Sequence, residues 1–160
     1  MKMILNLNTK NFCLLIMFFS IGILLGAIYI EYILNNESCV LCLYQRIPYV
    51  LTIFLAFLGY NSKKVLWIKI IFILFLLSSI LSSYHVGIEN NIFEEFSGCK
   101  SNNLSIIDKT ELLESMKFKE ISCKDVTFKF LGLSLATINL ITSLLICFTS
   151  GYIIKNEKNK

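Results

Sequence analysis

Four long apolar segments constrain the fold of this chain more than any other feature. A helix needs about 20 mostly apolar residues to cross the hydrocarbon of a bilayer. Four segments come near that length, at residues 12–30, 43–60, 65–84 and 131–154. Of all residues, 56% are apolar and only 16% are charged, which is unusual for a soluble domain. The sequence therefore predicts an all-α membrane protein, a bundle of four transmembrane helices in a single domain over residues 1–160.

The placement of lysines predicts the orientation of these segments. Positive residues gather on the cytoplasmic side of membrane proteins. Here they gather at the amino end, in the turn after the second segment and in the tail: Lys2, Lys10, Lys63, Lys64, Lys155, Lys158 and Lys160. We therefore expect both termini to be cytoplasmic, with a short outer loop at about 31–42 and a long one at about 85–130. The net charge of +4 indicates topology and not nucleic-acid binding.

Four of the six cysteines fall on the predicted outer side: Cys39, Cys42, Cys99 and Cys123. Disulfides persist in the periplasm or outside the cell and are rare in the cytosol, so these four suggest two oxidised pairs. Four cysteines allow three connectivities. Cys13 and Cys147 lie within apolar segments, where we expect each to pack as a small apolar residue.

Cys39 and Cys42 form a C-x-x-C pair in the stretch CVLCLYQR, beside the second apolar segment. Such dithiols are commonly redox-active, because the first turn of a helix lowers the pKa of a cysteine. If the second helix begins near Cys42, Arg46 lies at i+4 on the same face and its cation would stabilise a Cys42 thiolate. An ionisable residue at this depth is a functional-site candidate, although an arginine there also reaches lipid phosphate.

The stretch CVLCLYQR resembles the C-V-L-C-x-Y-x-R segment of the DsbB family, bacterial inner-membrane proteins of disulfide bond formation. Residues 84–89, YHVGIE, resemble the Y-H-x-G-x-E motif of one branch of that family. Cys123, followed by FLGL at 130–133, resembles the final cysteine and the entry to the last helix. The resemblance covers nearly the whole chain, and it departs at Gln45, where some members carry an acidic residue.

The resemblance implies a multi-pass enzyme of the bacterial inner membrane, a protein-dithiol:quinone oxidoreductase. A soluble periplasmic protein of the DsbA type would supply the electrons, and ubiquinone or menaquinone in the bilayer would accept them. Cys99 and Cys123 would form a loop disulfide, which the partner attacks at Cys99. Cys39 and Cys42 would form the membrane-edge pair that reoxidises it. Cys42 would present a thiolate to the quinone, and Arg46 would polarise a quinone oxygen.

His85 is the only histidine of the chain and lies at the outer end of the third segment. A lone histidine at such a position is usually an interfacial residue with satisfied hydrogen bonds. Tyr84 and Glu89 flank it in the motif, and Arg46 is expected at the same depth. His85 is therefore also a candidate for contact with the quinone or for a proton relay, because quinone reduction consumes protons.

Other interpretations of these residues stay open at this point. A membrane scaffold with structural disulfides in its outer loops explains the topology, but it does not require Arg46 beside a C-x-x-C pair. A four-cysteine zinc site also uses C-x-x-C; the outer compartment and the single C-x-x-C count against it, and no metal is expected. A related enzyme that serves one dedicated partner is not distinguished from the main hypothesis.

Small residues on the first and third segments predict close helix packing. They are Gly22, Gly26, Ser78, Ser79, Ser82 and Ser83. Packing between helices explains them without any ligand.

Overall fold

Four membrane-length spans, the second of them in two pieces, make up the computed structural model of this chain. It describes residues 9–36, 38–62, 64–94, 122–124, 129–130 and 132–158. The elements are α1 (Thr9–Tyr32), α2 (Val40–Tyr44), α3 (Ile47–Ser62), α4 (Val65–Glu89), β1 (Lys129–Phe130), β2 (Leu133–Ser134) and α5 (Leu135–Lys158). The spans within this part of the chain are Thr9–Tyr32, Val40–Ser62, Val65–Glu89 and Leu135–Glu157. The predicted four-helix membrane fold is confirmed.

The third span is longer than the sequence pattern predicts. α4 continues past Tyr84 and ends at Glu89. His85 therefore lies inside the helix, about one turn before its end, and not at the start of the long outer loop. The extra turn keeps the imidazole at a fixed depth beside the neighbouring helices.

The last span begins later than predicted, because a short hairpin precedes it. β1 and β2 pair antiparallel, with Lys129 opposite Ser134. Gly132 makes the turn with a φ of 82°, a left-handed conformation that glycine adopts at little cost. The hydroxyl of Ser134 then accepts a hydrogen bond from the backbone N–H of Thr137 at 3.2 Å, which caps α5.

The second span is interrupted between α2 and α3. Pro48 has no backbone N–H, so it cannot extend the hydrogen-bond ladder from α2, but it fits the first turn of α3. At the junction, the backbone N–H of Arg46 bonds the carbonyl of Leu43 at 3.1 Å. The expectation that Cys42 and Arg46 lie in one regular helix is therefore wrong, because a turn separates them, but the charge of Arg46 still acts on the sulfur of Cys42.

The core lies between helices that pack in pairs: α1 against α3, α3 against α4, and α4 against α5. The rings of Tyr49 and Phe75 meet edge to face, with centroids 5.3 Å apart. Cys13 is fully buried in this core and Cys147 packs against it, which confirms that both act as small apolar residues. Large apolar side chains on the outside face the lipid: Phe18, Leu25, Phe54, Leu77, Ile80, Leu145 and Phe148.

Polar side chains also link the helices across the core. The hydroxyl of Tyr49 donates to Asn139 Oδ1, and Asn139 Nδ2 donates to Ser82 Oγ at 2.7 Å. Ser78 and Ser143 hydroxyls lie 3.2 Å apart. Such bonds replace the water that hydrocarbon cannot supply. The predicted packing role of Ser78 and Ser82 is confirmed.

The two glycines of the first helix do not have the predicted packing role. A Cβ added to Gly22 or Gly26 would meet no heavy atom within 4 Å in the described part of the chain. The close approach occurs at Gly59 of α3, where a Cβ would lie 2.9 Å from Cys13 Sγ and 3.2 Å from Trp67 Cβ. Gly59 thus allows α1, α3 and the start of α4 to converge.

We predict that Gly59→Ala destabilises the protein, whereas Gly26→Ala does not. The added methyl at Gly59 overpacks the core, a cost of about 1–3 kcal/mol that outweighs the gain of about 1 kcal/mol in helix propensity. Thermal unfolding in detergent, followed by circular dichroism, should show a lower Tm for Gly59→Ala only. An unchanged Tm for that variant would contradict the packing described here.

Candidate redox site

The C-x-x-C pair begins the second span. Cys39 is the N-cap of α2, and its sulfur accepts a hydrogen bond from the backbone N–H of Cys42 at 3.3 Å. The two sulfur atoms lie 3.0 Å apart, and both cysteines are free thiols. Cys39 is buried and Cys42 is half-buried. The local helix start therefore directs both sulfurs to one place at the outer end of the bundle.

The surroundings of Cys39 favour its thiolate. The hydrogen bond with the Cys42 thiol, followed by the contact with His85, holds the pKa of the Cys39 thiol well below its ordinary value, although burial acts in the opposite direction. The sequence pattern predicts a thiolate at Cys42 instead. In the dithiol form described here, Cys42 and His85 stabilise a thiolate at Cys39, whereas the charge of Arg46 acts on Cys42.

His85 is buried and has a neighbour at each ring nitrogen. Nε2 lies 3.6 Å from Cys39 Sγ and 4.0 Å from Glu89 Oε1. Nδ1 lies 3.0 Å from the side-chain amide nitrogen of Gln45. The second oxygen of Glu89 accepts a hydrogen bond of 2.5 Å from Ser134. These side chains form a continuous polar cluster that starts at the C-x-x-C pair and ends at the cap of α5.

Cys123 joins this cluster from the loop side. It is buried and disulfide-bonded. Its sulfur, the sulfur of Cys39 and a ring nitrogen of His85 all lie within 4.8 Å of one another. Leu41 and Ile88 pack around them. An oxidised loop cysteine thus lies beside the reduced pair at the membrane edge.

A metal ion could bind all three of these residues only if the disulfide of Cys123 were reduced. The spacing of Cys39, His85 and Cys123 is compatible with a soft metal ion. A cysteine ligates zinc as a thiolate, and the sulfur of Cys123 is engaged in a disulfide in this structure. The donor set described here is therefore that of a thiol–disulfide exchange site.

Arg46 lies at the edge of the site and has its own partners. Nη1 forms an ion pair with Glu31 at 2.5 Å, and Nη2 donates to Ser38 Oγ. Ser38 Oγ in turn donates to Glu31 at 3.0 Å. The end of α1 and the short outer loop therefore hold the guanidinium, which stays partly exposed at the membrane edge.

The motif YHVGIE has a structural role at every marked position. The ring of Tyr84 stacks on Phe93, with centroids 5.7 Å apart. A Cβ on Gly87 would lie 2.3 Å from the Phe93 ring, so the absent side chain leaves room for the returning chain. His85 and Glu89 point into the polar cluster. The motif thus folds residues 90–94 back against the end of α4.

The structure brings together four of the six predicted site residues: Cys39, Cys42, Cys123 and His85. Arg46 lies nearby but faces Glu31 and Ser38, and Cys99 lies outside the described residues.

Sequence patterns do not identify four residues around the site. Glu31 and Ser38 contact Arg46, and Gln45 contacts His85. Ser134 contacts Glu89, which is itself a neighbour of His85. Glu31 has a signal in the sequence, because it is a charged residue at the end of an apolar segment. The amide of Gln45 inside CVLCLYQR is a comparable polar signal. Ser38 and Ser134 have no such signal, since serine is common in loops.

Comparisons with known proteins place this chain among proteins of disulfide bond formation. The family model described as disulfide bond formation protein DsbB matches residues 9–153. Disulfide bond formation protein B of Xylella fastidiosa is 30% identical over 133 residues, which are 77% of this chain and 76% of that protein. An uncharacterized protein of Rickettsia prowazekii is 30% identical over 136 residues, 81% of this chain and 78% of that protein. The matched region includes every site residue described above.

In the fully reduced protein, we expect Cys39 to remain a thiolate at lower pH than an ordinary cysteine. A lowered pKa enlarges the thiolate fraction below the ordinary thiol value of about 8.5, so the pH midpoint of alkylation should shift downward. Pulses of iodoacetamide across the pH range, with fragment ions that separate Cys39 from Cys42, measure this midpoint. His85→Ala should raise it, and an ordinary midpoint in the parent protein would contradict the described contacts.

Proposed function

Because the chain belongs to the DsbB family of disulfide bond formation proteins, we propose that it reoxidises a periplasmic DsbA-type protein and passes the electrons to a membrane quinone. Family membership makes it a multi-pass membrane oxidoreductase of disulfide bond formation. The partner, the quinone and the route between them form the proposal. It is supported by one observation above all: the disulfide-bonded Cys123 lies within 4.8 Å of Cys39.

This proximity matters because electrons pass between cysteine pairs by direct attack of one sulfur on another. Reacting atoms must approach to about 3–3.5 Å. A separation of at most 4.8 Å leaves only a small movement between Cys39 and Cys123. A scaffold with structural disulfides does not require its two cysteine pairs to touch.

The first exchanges start at the loop pair, which we propose is Cys99–Cys123. A partner thiolate attacks Cys99, forms a mixed disulfide and releases Cys123 as a thiolate. Cys123 then attacks Cys39 of the oxidised Cys39–Cys42 pair and releases Cys42 as a thiolate. Each step forms one S–S bond and breaks one, so the number of disulfides is unchanged.

The second exchanges release the oxidised partner. Its second thiolate attacks the mixed disulfide, closes the partner's own disulfide and frees Cys99. The Cys99 thiolate attacks Cys123, which restores the loop disulfide and frees Cys39. The resulting state has Cys39 and Cys42 as thiols and Cys123 in a disulfide, which is the redox state of this structure.

The residues beside Cys42 fit an apolar ring with polar oxygens. Leu43, Tyr44 and Ile47 are exposed on the outer side of the second span, and Arg46 is a partly exposed cation among them. A quinone bound there would accept the two electrons and two protons of the dithiol, which returns to the disulfide. Arg46 would hold a quinone oxygen, and Cys42 would be the sulfur facing it. A contact of His85 with the quinone stays a prediction.

The inner membrane of a bacterium, with both termini cytoplasmic, is the proposed location. Thr9 at the start of α1 contacts Glu157 at the end of α5, and Lys10 lies over the ring of Tyr60 at the end of α3. The ends rich in lysine therefore meet on one side of the bundle, and the cysteine site lies at the other end. The positive-inside rule makes the cysteine side periplasmic.

An anaerobic assay tests the proposed function. Purified protein in detergent is mixed with a reduced DsbA-type protein and with ubiquinone or menaquinone, and the quinone absorbance is followed. We expect oxidised quinone to disappear in step with oxidation of the partner. Folded protein that reacts with neither quinone would reject the proposal and favour the scaffold.

Replacement of Cys42 or Cys99 by serine should abolish turnover in this assay while the helical bundle stays folded. Serine cannot form the disulfides through which the electrons pass. Cys147→Ser is the matched control, because that thiol packs against the core and has no place in the exchanges. Normal rates in Cys42→Ser would rule out the mechanism.

Arg46→Ala should mainly impair the use of quinone. Loss of a charge-assisted hydrogen bond of about 1.5–3 kcal/mol corresponds to a rise in the KM for quinone of roughly tenfold to a hundredfold. A single turnover without quinone, in which the preoxidised protein oxidises the partner, should keep its rate. An unchanged quinone dependence would remove Arg46 from the site.

A further inference from the structure

We propose that Gln45 is a positioning residue that places the proton of His85 on Nε2, so that the imidazole donates to the sulfur of Cys39. The inference rests on the proposed function for its purpose, since the last exchange releases Cys39 as a thiolate. It extends the site to a residue that does not touch either sulfur.

The amide of Gln45 determines which ring nitrogen carries the proton. Gln45 is 5% exposed, and its Nε2 lies 3.0 Å from His85 Nδ1. An amide nitrogen only donates hydrogen bonds, and a neutral imidazole has one donor nitrogen and one acceptor nitrogen. Nδ1 is therefore the acceptor, and the proton resides on Nε2.

The protonated nitrogen faces the reactive pair. His85 Nε2 lies 3.6 Å from Cys39 Sγ, and both residues are buried. A neutral N–H donor stabilises a thiolate without adding a net charge to the apolar end of the bundle. With the opposite tautomer, a lone pair would face Cys39 and the sulfur would have to keep its proton to form the same contact.

The other groups around His85 agree with this assignment. Glu89, on the same helix, is 4.0 Å from Nε2, and its second oxygen is held by Ser134 of β2. Cys39 is thus the nearer acceptor for the Nε2 proton. Among the described residues, Cys42, the disulfide-bonded Cys123 and Tyr84 also belong to the cluster around the imidazole, and the nearby Arg46 is paired with Glu31.

The single histidine makes the tautomer directly measurable. The reduced, full-length protein with ¹⁵N-labelled histidine should give one pair of imidazole nitrogen signals, which couplings to the ring protons assign to Nδ1 and Nε2. Where the spectrum shows a neutral imidazole, we expect a protonated Nε2 and an unprotonated Nδ1. A proton on Nδ1 in the parent protein would overturn the proposal, and no variant has to fold for this result.

Two substitutions at Gln45 should act differently on Cys39. Gln45→Met keeps the length but removes the donor, so the pH midpoint of Cys39 alkylation should rise by up to about one unit, a tenfold loss of thiolate at a given pH. Gln45→Glu offers a carboxylate that holds a proton on Nδ1 as well, so the imidazolium still donates through Nε2. Its midpoint should stay at or below that of the parent.

A His85→Ala background tests whether Gln45 acts through the imidazole. In that background, Gln45→Met should cause no further shift of the Cys39 midpoint. A shift of equal size in both backgrounds would overturn the proposal, as would equal upward shifts for Gln45→Met and Gln45→Glu. These outcomes would indicate a general packing effect.

Failure of this inference is distinguishable from failure of the proposed function. Neither the nitrogen spectrum nor the alkylation profile involves a quinone or a partner protein. The predicted tautomer together with an inactive quinone assay would reject the proposed function alone. The opposite tautomer with an active assay would reject the role of Gln45 alone.

Discussion

The contact between His85 and Cys39 joins three parts of the chain that are far apart in sequence. α4 supplies the imidazole, the start of α2 supplies the sulfur, and the loop segment of Cys123 packs against both. All three are buried at the outer end of a bundle that is otherwise apolar. Polar groups at such a depth must find partners within the protein, because hydrocarbon offers none. The need for these partners keeps the reactive sulfurs at a fixed place.

The interruption of the second span is what allows this arrangement. Cys39 caps a helix of only five residues, and after a turn Pro48 lies in the first turn of the next helix. The turn directs Gln45 inward to His85 and Arg46 outward to Glu31. In a continuous helix, the side chains of neighbouring residues project about 100° apart around one axis. The break gives the amide and the guanidinium separate surroundings, one buried and one at the membrane edge.

The bonding state of the cysteines in this structure fits one stage of the proposed exchanges. A reduced C-x-x-C pair beside a disulfide-bonded loop cysteine matches the state that the proposed exchanges leave before the quinone accepts the electrons. The lowered pKa of Cys39 suits this state, because a low-pKa thiol is a good leaving group in exchange. In the proposed route, the hydrogen bonds of the cluster therefore stabilise the thiolate that the last exchange releases at Cys39.

The sequence by itself determined the four spans, the place of the C-x-x-C pair at the end of an apolar segment, and the family motifs. These features depend on the length of apolar runs and on local spacing, which a bilayer converts directly into helices. Only the tertiary structure decided which polar side chains meet. Gln45 and His85 are 40 residues apart, and Ser134 reaches Glu89 only through the hairpin before α5. The sequence of a helix that is apolar all round does not reveal which face is buried. It therefore could not show that Gly59 packs closely while Gly22 and Gly26 do not. The rotation and depth of each helix follow from the summed packing of its neighbours, and no local pattern encodes that sum.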